Sequence, residues 1–129
     1  MQDKLVSYSS VLGVVVANKR KGLGIEQSSM ADSMGLSQAS YSRLESGKST
    51  FSVDQMFECA QALKIPAAEL FNSVVNTVGN LQSSNGVLVQ AQPRGNTTKA
   101  KAAGGNEVAT FVAGAALVAL IIGLAGKSK

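Results

Sequence analysis

The chain has 129 residues, of which 45% are hydrophobic and only 16% are charged, and its formal charge is +4. This length fits one ordinary globular domain. The sequence contains one cysteine, Cys59, and no histidine. An intramolecular disulfide framework is therefore excluded, and the commonest metal ligand and general base are missing. We expect no cofactor, no metal site and no enzymatic activity.

Composition divides the chain into three segments. Residues 1–76 mix polar and apolar side chains, residues 77–106 are rich in Gly, Asn, Ser and Gln, and residues 107–129 are mainly apolar. We interpret them as a globular domain, a flexible linker and a membrane anchor with a basic end. Residues 86–90 fit a short strand only as a minor alternative to flexible chain. In residues 1–76 seven Lys and Arg balance seven Asp and Glu, so the net charge describes the linker and the tail.

The spacing of apolar residues predicts five short helices in residues 1–76, and hence an all-α domain. Apolar residues recur every three or four positions, which places them on one helix face. Gly22, Gly35 and Gly47 are predicted to end helices, and Ser37 and Ser52 to begin them. The residues predicted to face inward are, helix by helix, Leu5, Tyr8, Leu12, Val15 and Val16; Met30, Ala31 and Met34; Tyr41 and Leu44; Met56, Cys59, Ala60 and Leu63; and Ala67, Leu70, Phe71 and Val74. Phe57 is also expected to pack in the core.

The second and third predicted helices, over residues 26–34 and 38–46, are separated by a turn at Gly35. Two helices joined at a glycine turn make a helix-turn-helix motif. Such a motif needs a small residue where the helices touch, which is Ala31, and apolar residues that hold the second helix, which include Tyr41 and Leu44. The sequence therefore predicts a helix-turn-helix.

Over residues 12–71 the sequence resembles the XRE type of helix-turn-helix proteins, which includes the Cro and lambda-repressor-like phage repressors. The residues that carry the resemblance follow the order and spacing of that family without a gap: Leu12, Gly13, Arg20, Gly24, Ile25, Gln27, Met30, Ala31, Gly35, Leu36, Ser37, Ser42, Glu45, Gly47, Ala60, Leu63, Leu70 and Phe71. The sequence departs from the family at Lys19, Glu26 and Phe51, where leucine, serine and proline are usual. The resemblance implies a five-helix lambda-repressor-like fold, in which Glu45 is commonly a structural hydrogen-bonding residue.

The resemblance also implies a DNA-binding site on the third helix. That helix would enter the major groove of double-stranded DNA, with its first side chains on base edges. The predicted base contacts come from Gln38, Ala39, Ser40 and Arg43, and the predicted phosphate contacts from Gln27, Ser46, Lys48 and Ser49. Glutamine can pair with adenine, arginine with guanine, and an alanine methyl with the thymine methyl. A homodimer is expected because one such helix reads only a half-site.

The tail is predicted to form a single transmembrane helix. Residues 108–126 contain no charged residue, and a helix of that length spans roughly 28 Å, close to the thickness of a bilayer core. Its large apolar residues include Val108, Phe111, Val112, Leu117, Leu120, Ile121, Ile122 and Leu124. Three basic residues before the span outnumber the two after it, and the N-terminus shows no signal peptide, so the domain is predicted on the cytoplasmic side of the inner membrane.

These features predict a sequence-specific transcriptional regulator that is tethered to the membrane through lipid contacts of its tail. Two alternatives stay open at this point. The first is a membrane-anchored helix-turn-helix adaptor that binds a cytoskeletal or other protein partner, which would suit the neutral domain because phosphate contacts supply most non-specific DNA affinity. The second is a structural membrane protein of a phage or secretion assembly.

Overall fold

The computed structural model describes residues 4–84 and 87–91. The elements in chain order are β1 (Lys4–Ser7), α1 (Tyr8–Gly22), α2 (Gln27–Ser33), α3 (Gln38–Ser46), α4 (Val53–Leu63), α5 (Ala67–Ser84) and β2 (Val87–Gln90). The five predicted helices are confirmed. Two short strands are present in addition, one before α1 and one after α5. The strands form a two-stranded parallel sheet, in which Lys4 is opposite Val87 and Ser7 is opposite Gln90. All five helices lie between the two strands in the sequence.

Serine side chains begin three of the helices. The Ser7 hydroxyl accepts the backbone N–H of Ser10 at the start of α1, and Ser37 caps α3 in the same way. At α4, Ser52 and Gln55 form a reciprocal capping box. Each cap satisfies a backbone donor that the first turn of a helix leaves without an intrahelical partner. The predicted helix starts at Ser37 and Ser52 are therefore confirmed.

The core lies between α1 and the other helices. Its fully buried large side chains come from all five helices and from β1: Tyr41, Met30, Leu70, Leu81, Val6, Val11, Val14, Val16 and Cys59. Three predictions of packing are wrong, because Tyr8, Phe57 and Phe71 are 48%, 54% and 52% exposed. The apolar stripe of each helix is broader than the face that a domain this small can cover, so aromatic residues at the edge of the stripe stay at the surface.

The segment after residue 76 corrects the predicted domain boundary. Helix α5 continues to Ser84 and β2 follows it, so the prediction of flexible linker is wrong for residues 77–84 and 87–90. Val74, Val78 and Leu81 continue one helical stripe into the core, while Val87 and Val89 are buried and Leu88 is exposed. This apolar periodicity outweighs the polar composition from which the linker was predicted.

The first residues also differ from their prediction. The sequence predicts Leu5 on the inner face of the first helix, but residues 4–7 form β1, and Val6 is fully buried. Within the described part of the chain, no helix is long and apolar enough to cross a bilayer. The predicted anchor at residues 107–129, and the linker prediction for residues 92–106, lie outside the described residues.

Candidate nucleic-acid interface

Helices α2 and α3 are held in a fixed relation by the turn between them. The Leu36 N–H donates to the Ala31 carbonyl at 2.9 Å, and Gly35 adopts the left-handed conformation at a φ of +70°. Ala31 is 1% exposed where the helices meet. A glycine tolerates this φ because it has no Cβ. The structure thus contains the predicted helix-turn-helix.

The inner side of α3 is fixed against α1. Tyr41 and Leu44 are 0% and 3% exposed. A Cβ added to Gly13 would lie 2.6 Å from the Leu44 carbonyl oxygen and 2.7 Å from that of Glu45, so only glycine allows the two backbones to come this close. Because α3 is anchored in this way, its outer face is presented on a rigid element.

The outer face of α3 carries most of the predicted base-contacting residues. Gln38, Ala39 and Arg43 are exposed, and they span an arc of about 140° at 100° per residue. Ser40 differs, because it is half-buried and its hydroxyl accepts a hydrogen bond from the Ser37 hydroxyl at 3.0 Å. The surface therefore offers an amide, a methyl group and a guanidinium, and Ser40 lies at its border.

The residues predicted to contact phosphate have different surroundings. Lys48 is exposed, whereas Gln27, Ser46 and Ser49 are half-buried. The Ser46 hydroxyl donates to the Arg43 carbonyl of its own helix at 3.2 Å. The Gln27 amide donates to Glu45 Oε1 at 2.9 Å, which leaves the second hydrogen of that amide for another acceptor. Lys48 is the member of this set with a charged donor at the surface.

A buried ionic network joins α1, α2 and α3 beneath this surface. Arg20 Nε lies 2.6 Å from Glu45 Oε2 and Arg20 Nη2 lies 3.2 Å from Oε1, with both side chains 8% exposed. The Tyr41 hydroxyl and the Gln27 amide also donate to the Glu45 carboxylate. Arg20 completes its own bonding through the Ile25 carbonyl at 2.8 Å. A buried ion pair is stable only with such additional hydrogen bonds.

The network changes the pKa values of its members. Burial alone would raise the pKa of Glu45, but the hydrogen bonds from Arg20, Tyr41 and Gln27 outweigh that effect and hold the pKa below its ordinary value. The hydrogen bond to Glu45 raises the pKa of Arg20. Burial, and then the hydrogen bond to Glu45, raise the pKa of Tyr41. All three groups are therefore fixed in one protonation state near neutral pH.

Sequence reasoning identified Arg20, Gln27 and Glu45 singly but did not predict that they meet. The available signal was the presence of two charged residues at positions adjoining apolar helix faces, 25 residues apart. Sequence spacing alone cannot pair such residues, because the pairing depends on how α1 packs on α3. Tyr41 was predicted as a core residue, which is confirmed, but its hydroxyl has the further role of a hydrogen-bond donor.

Cys59 is buried in the core, as predicted. Burial raises the pKa of its thiol to about 12, so the thiolate that acts as a nucleophile or metal ligand is not populated at neutral pH. The Cys59 thiol donates to Met34 Sδ at 3.7 Å. Cys59 is thus a packing residue.

The sequence of the motif and its surroundings matches a known family. Residues 16–70 match the family described as helix-turn-helix. The matched residues include the helix-turn-helix that the structure contains, and residues 16–70 are called the helix-turn-helix domain below. The match covers the second half of α1, all of α2, α3 and α4 and the start of α5, and it leaves the strands, the first half of α1 and the rest of α5 outside.

The helix-turn-helix domain also resembles characterised proteins. It is 38% identical over 55 residues to the cryptic phage CTXphi transcriptional repressor RstR of Vibrio cholerae serotype O1, an alignment that covers 43% of this chain and 49% of RstR. The chain therefore spans about half the length of the curated relative that it matches. The relative is a transcriptional repressor and the matched family is helix-turn-helix. The prediction that the domain is not an enzyme is confirmed by this likeness.

Two solved structures share the fold of the helix-turn-helix domain. The clp gene regulator ClgR from Corynebacterium glutamicum superposes with a TM-score of 0.56 at 20% identity, over 61% of this chain and 83% of ClgR. The wild-type restriction-modification controller protein C.Esp1396I superposes with a TM-score of 0.51 at 16% identity, over 54% of this chain and 90% of that protein. At these identities the likeness concerns the fold alone, and it confirms the predicted five-helix architecture.

Proposed function

We propose that this protein is a sequence-specific, DNA-binding transcriptional regulator. The single observation that carries the proposal is the outer face of α3, where Gln38, Ala39 and Arg43 stand exposed on a helix that is anchored on its other side. The similarity of residues 16–70 to a transcriptional repressor supports it. The exposed side chains are types that read base edges in the major groove.

Each group on this face has a chemical role in the proposal. The Gln38 amide pairs with adenine, the Arg43 guanidinium forks onto guanine, and the Ala39 methyl packs on the thymine methyl. Ser40 contributes from the border of the surface. Lys48, with Ser46, Ser49 and the second amide hydrogen of Gln27, contacts phosphate and fixes the register without specifying a base. Each good base contact contributes about 1–3 kcal/mol of discrimination.

A second copy of the chain is proposed to complete the site. An apolar groove of about 340 Å³ lies between α4 and α5, and its lining includes the exposed rings of Phe57 and Phe71. Val53 and Val75, each four residues from Phe57 or Phe71 on the same helix, are exposed as well, and residues at this spacing are neighbours on a helix surface. In a two-fold dimer the same patch faces itself, so one apolar surface serves both copies. Two copies of α3 then read two half-sites.

The DNA proposal is tested with the full-length chain in non-ionic detergent, by selecting duplexes from a random-sequence pool and measuring mobility shifts. We expect one enriched sequence with paired half-sites about 34–36 Å apart, or a multiple of that spacing. The joint substitution of Gln38→Ala and Arg43→Ala should weaken binding to the selected duplex about 30-fold or more, and affect random DNA much less, because base contacts rather than phosphate contacts are removed.

A control for this prediction is Gln61→Ala with Lys64→Ala, which removes the same kinds of group from the end of α4. It should leave the preference intact. An unmutated chain that enriches no sequence would contradict the DNA proposal. Retention of a protein partner without DNA would instead favour the alternative of a protein-binding adaptor. Selection of single half-sites by a monomer would contradict the proposed dimer.

The membrane tether is a separate part of the proposal. It rests on residues 108–126, which contain no charged residue and include Phe111, Leu117, Ile121 and Ile122. A helix formed by them is long enough for a bilayer core. In this arrangement the chain beyond Ala91 links a cytoplasmic DNA-binding domain to the inner membrane and restricts the DNA that it can reach.

Cell fractionation tests the tether. The full-length chain should stay with the inner membrane through a high-salt wash, while a chain truncated after Asn106 should not, because only lipid contacts of the tail resist salt. A matched control replaces Ile121 and Ile122 with leucine, which keeps the apolar character, and should remain in the membrane. Salt-extractable full-length protein would contradict the tether. Ordered polymers of the full-length protein would favour the alternative of a structural assembly protein.

A further inference from the structure

The loop between α3 and α4, residues 47–52, carries two of the predicted phosphate contacts, Lys48 and Ser49. Its first half is fixed by the end of α3. The backbone N–H groups of Lys48 and Ser49 both donate to the Arg43 carbonyl, at 2.9 and 3.1 Å. Gly47 is left-handed at a φ of +84°, which turns the chain away from the helix. Lys48 is exposed on this turn.

The second half of the same loop is fixed by α1. The Phe51 N–H donates to the Ser9 hydroxyl oxygen at 2.8 Å, across a separation of 42 residues. The Phe51 side chain is 9% exposed beside it. A proline at this position would have no N–H and could not make this bond. The backbone N–H of Phe51 is therefore the donor for the hydrogen bond that the Ser9 hydroxyl oxygen accepts.

The adjoining residue of α1 contacts the loop as well. A Cβ added to Gly47 would clash with the Ser10 hydroxyl, so Ser10 lies directly on the end of α3. Ser10 is in turn bonded to the Ser7 hydroxyl at 2.9 Å, and Ser7 is the last residue of β1. The first turn of α1 is thus connected to the sheet on one side and to the loop on the other. Ser9 is part of a rigid turn.

We propose that Ser9 is a positioning residue for DNA binding, which fixes the α3–α4 loop through the Phe51 N–H so that Lys48 meets a phosphate. The inference rests on the proposed function. Two fixed ends, at Arg43 and at Ser9, leave Lys48 on a short constrained turn. The loop is then ordered before DNA arrives, so binding does not have to pay for the loss of backbone freedom. Without the Ser9 bond the second half of the turn is held by the packing of the Phe51 side chain and has lost its backbone hydrogen bond to α1.

The test is Ser9→Ala in the full-length chain in detergent, with the selected duplex as the probe and salt concentration as the variable. Affinity should fall about fivefold, the size of one ordinary hydrogen bond. The slope of log Kd against log salt should also decrease by about one, because one phosphate contact is lost. Ser9→Thr keeps the acceptor oxygen and should restore both quantities. The matched control Ser83→Ala, whose hydroxyl bonds only within α5, should change neither.

A double substitution separates the effect of Ser9→Ala on DNA binding from its effect on stability. In a chain that already carries Lys48→Ala, Ser9→Ala should change neither the affinity nor the salt slope further. A salt slope that stays unchanged in Ser9→Ala, with a lower Tm, would assign Ser9 a purely structural role and overturn the inference alone. Failure of the unmutated chain to select any duplex would overturn the proposed function, and this inference with it.

Discussion

Gly13→Ala is expected to destabilise the domain by about 3 kcal/mol or more, which is at the severe end for a single methyl group. The added Cβ would lie 2.6 Å from the Leu44 carbonyl oxygen and 2.7 Å from that of Glu45. These are backbone atoms, which cannot rotate away as the end of a side chain can. Helices α1 and α3 must separate, and the packing of Tyr41 and Leu44 is loosened. Urea unfolding followed by circular dichroism measures the loss.

Gly79→Ala provides a matched control for that prediction. Gly79 lies inside α5, and a Cβ added to it would meet nothing within 4 Å. Alanine is favoured over glycine in a helix by about 0.5–1 kcal/mol, so this variant should be more stable than the unmutated protein. Equal effects of the two substitutions would show that the close approach at Gly13 does not limit the packing of α3.

The helices could be predicted from the sequence because each one has its own local signals. Ser37 and Ser52 mark starts, and Gly35 and Gly47 mark turns that require a left-handed backbone. These signals act over four or five residues and do not depend on the rest of the fold. Such positions are where local preference and tertiary structure agree.

The strands and the end of α5 could not be predicted from local signals. Strand β1 is paired with β2 across about the whole described chain, and a four-residue strand has too little periodicity to identify it alone. Polar composition suggested a flexible segment after residue 76, although Val78 and Leu81 continue the apolar stripe of Val74. Tertiary packing decides whether a short apolar repeat within a polar sequence becomes a helix or a strand.

The candidate site could be predicted only in part, because some of its contacts depend on how the helices pack. The exposed position of Gln38, Ala39 and Arg43 follows from helix periodicity, and the structure has these side chains at the surface. Their contacts with DNA stay a prediction. The bond between Ser9 and Phe51 joins residues far apart in the sequence, and no local pattern indicates it. Interactions that depend on how one helix is placed on another became visible only in three dimensions.

Glu45→Gln is expected to cost about 3–5 kcal/mol of stability at neutral pH, because it leaves a buried charge without its partner. Arg20 and Glu45 are both 8% exposed at their side chains, and the guanidinium cannot lose its proton to avoid the cost. The Tyr41 and Gln27 donors lose an ionised acceptor at the same time. Urea unfolding at pH 7 measures the effect.

The pH dependence of the stability of Glu45→Gln gives a second prediction, and the pKa shift of Glu45 fixes its direction. The pKa of Glu45 is lowered in the folded protein, so its contribution is fully present above its unfolded pKa and is lost as the pH falls through the folded one. The stability difference between the unmutated protein and Glu45→Gln should therefore be largest near neutral pH and shrink in acid. A difference that stays constant down to about pH 2, well below the ordinary carboxyl pKa, would contradict an ionised Glu45.

A double substitution separates the ion pair from the space that it fills. Arg20→Met with Glu45→Gln removes both charges while keeping side chains of similar length. It should cost less than Glu45→Gln alone, since no unpaired charge remains. If the double variant were instead less stable by the sum of the two single losses, the network would act through independent hydrogen bonds. A smaller loss of stability in the double variant would mean that the ion pair adds little to the stability of the domain. Its role would then be to fix the position of α3 on α1, and so the position of the exposed face of α3.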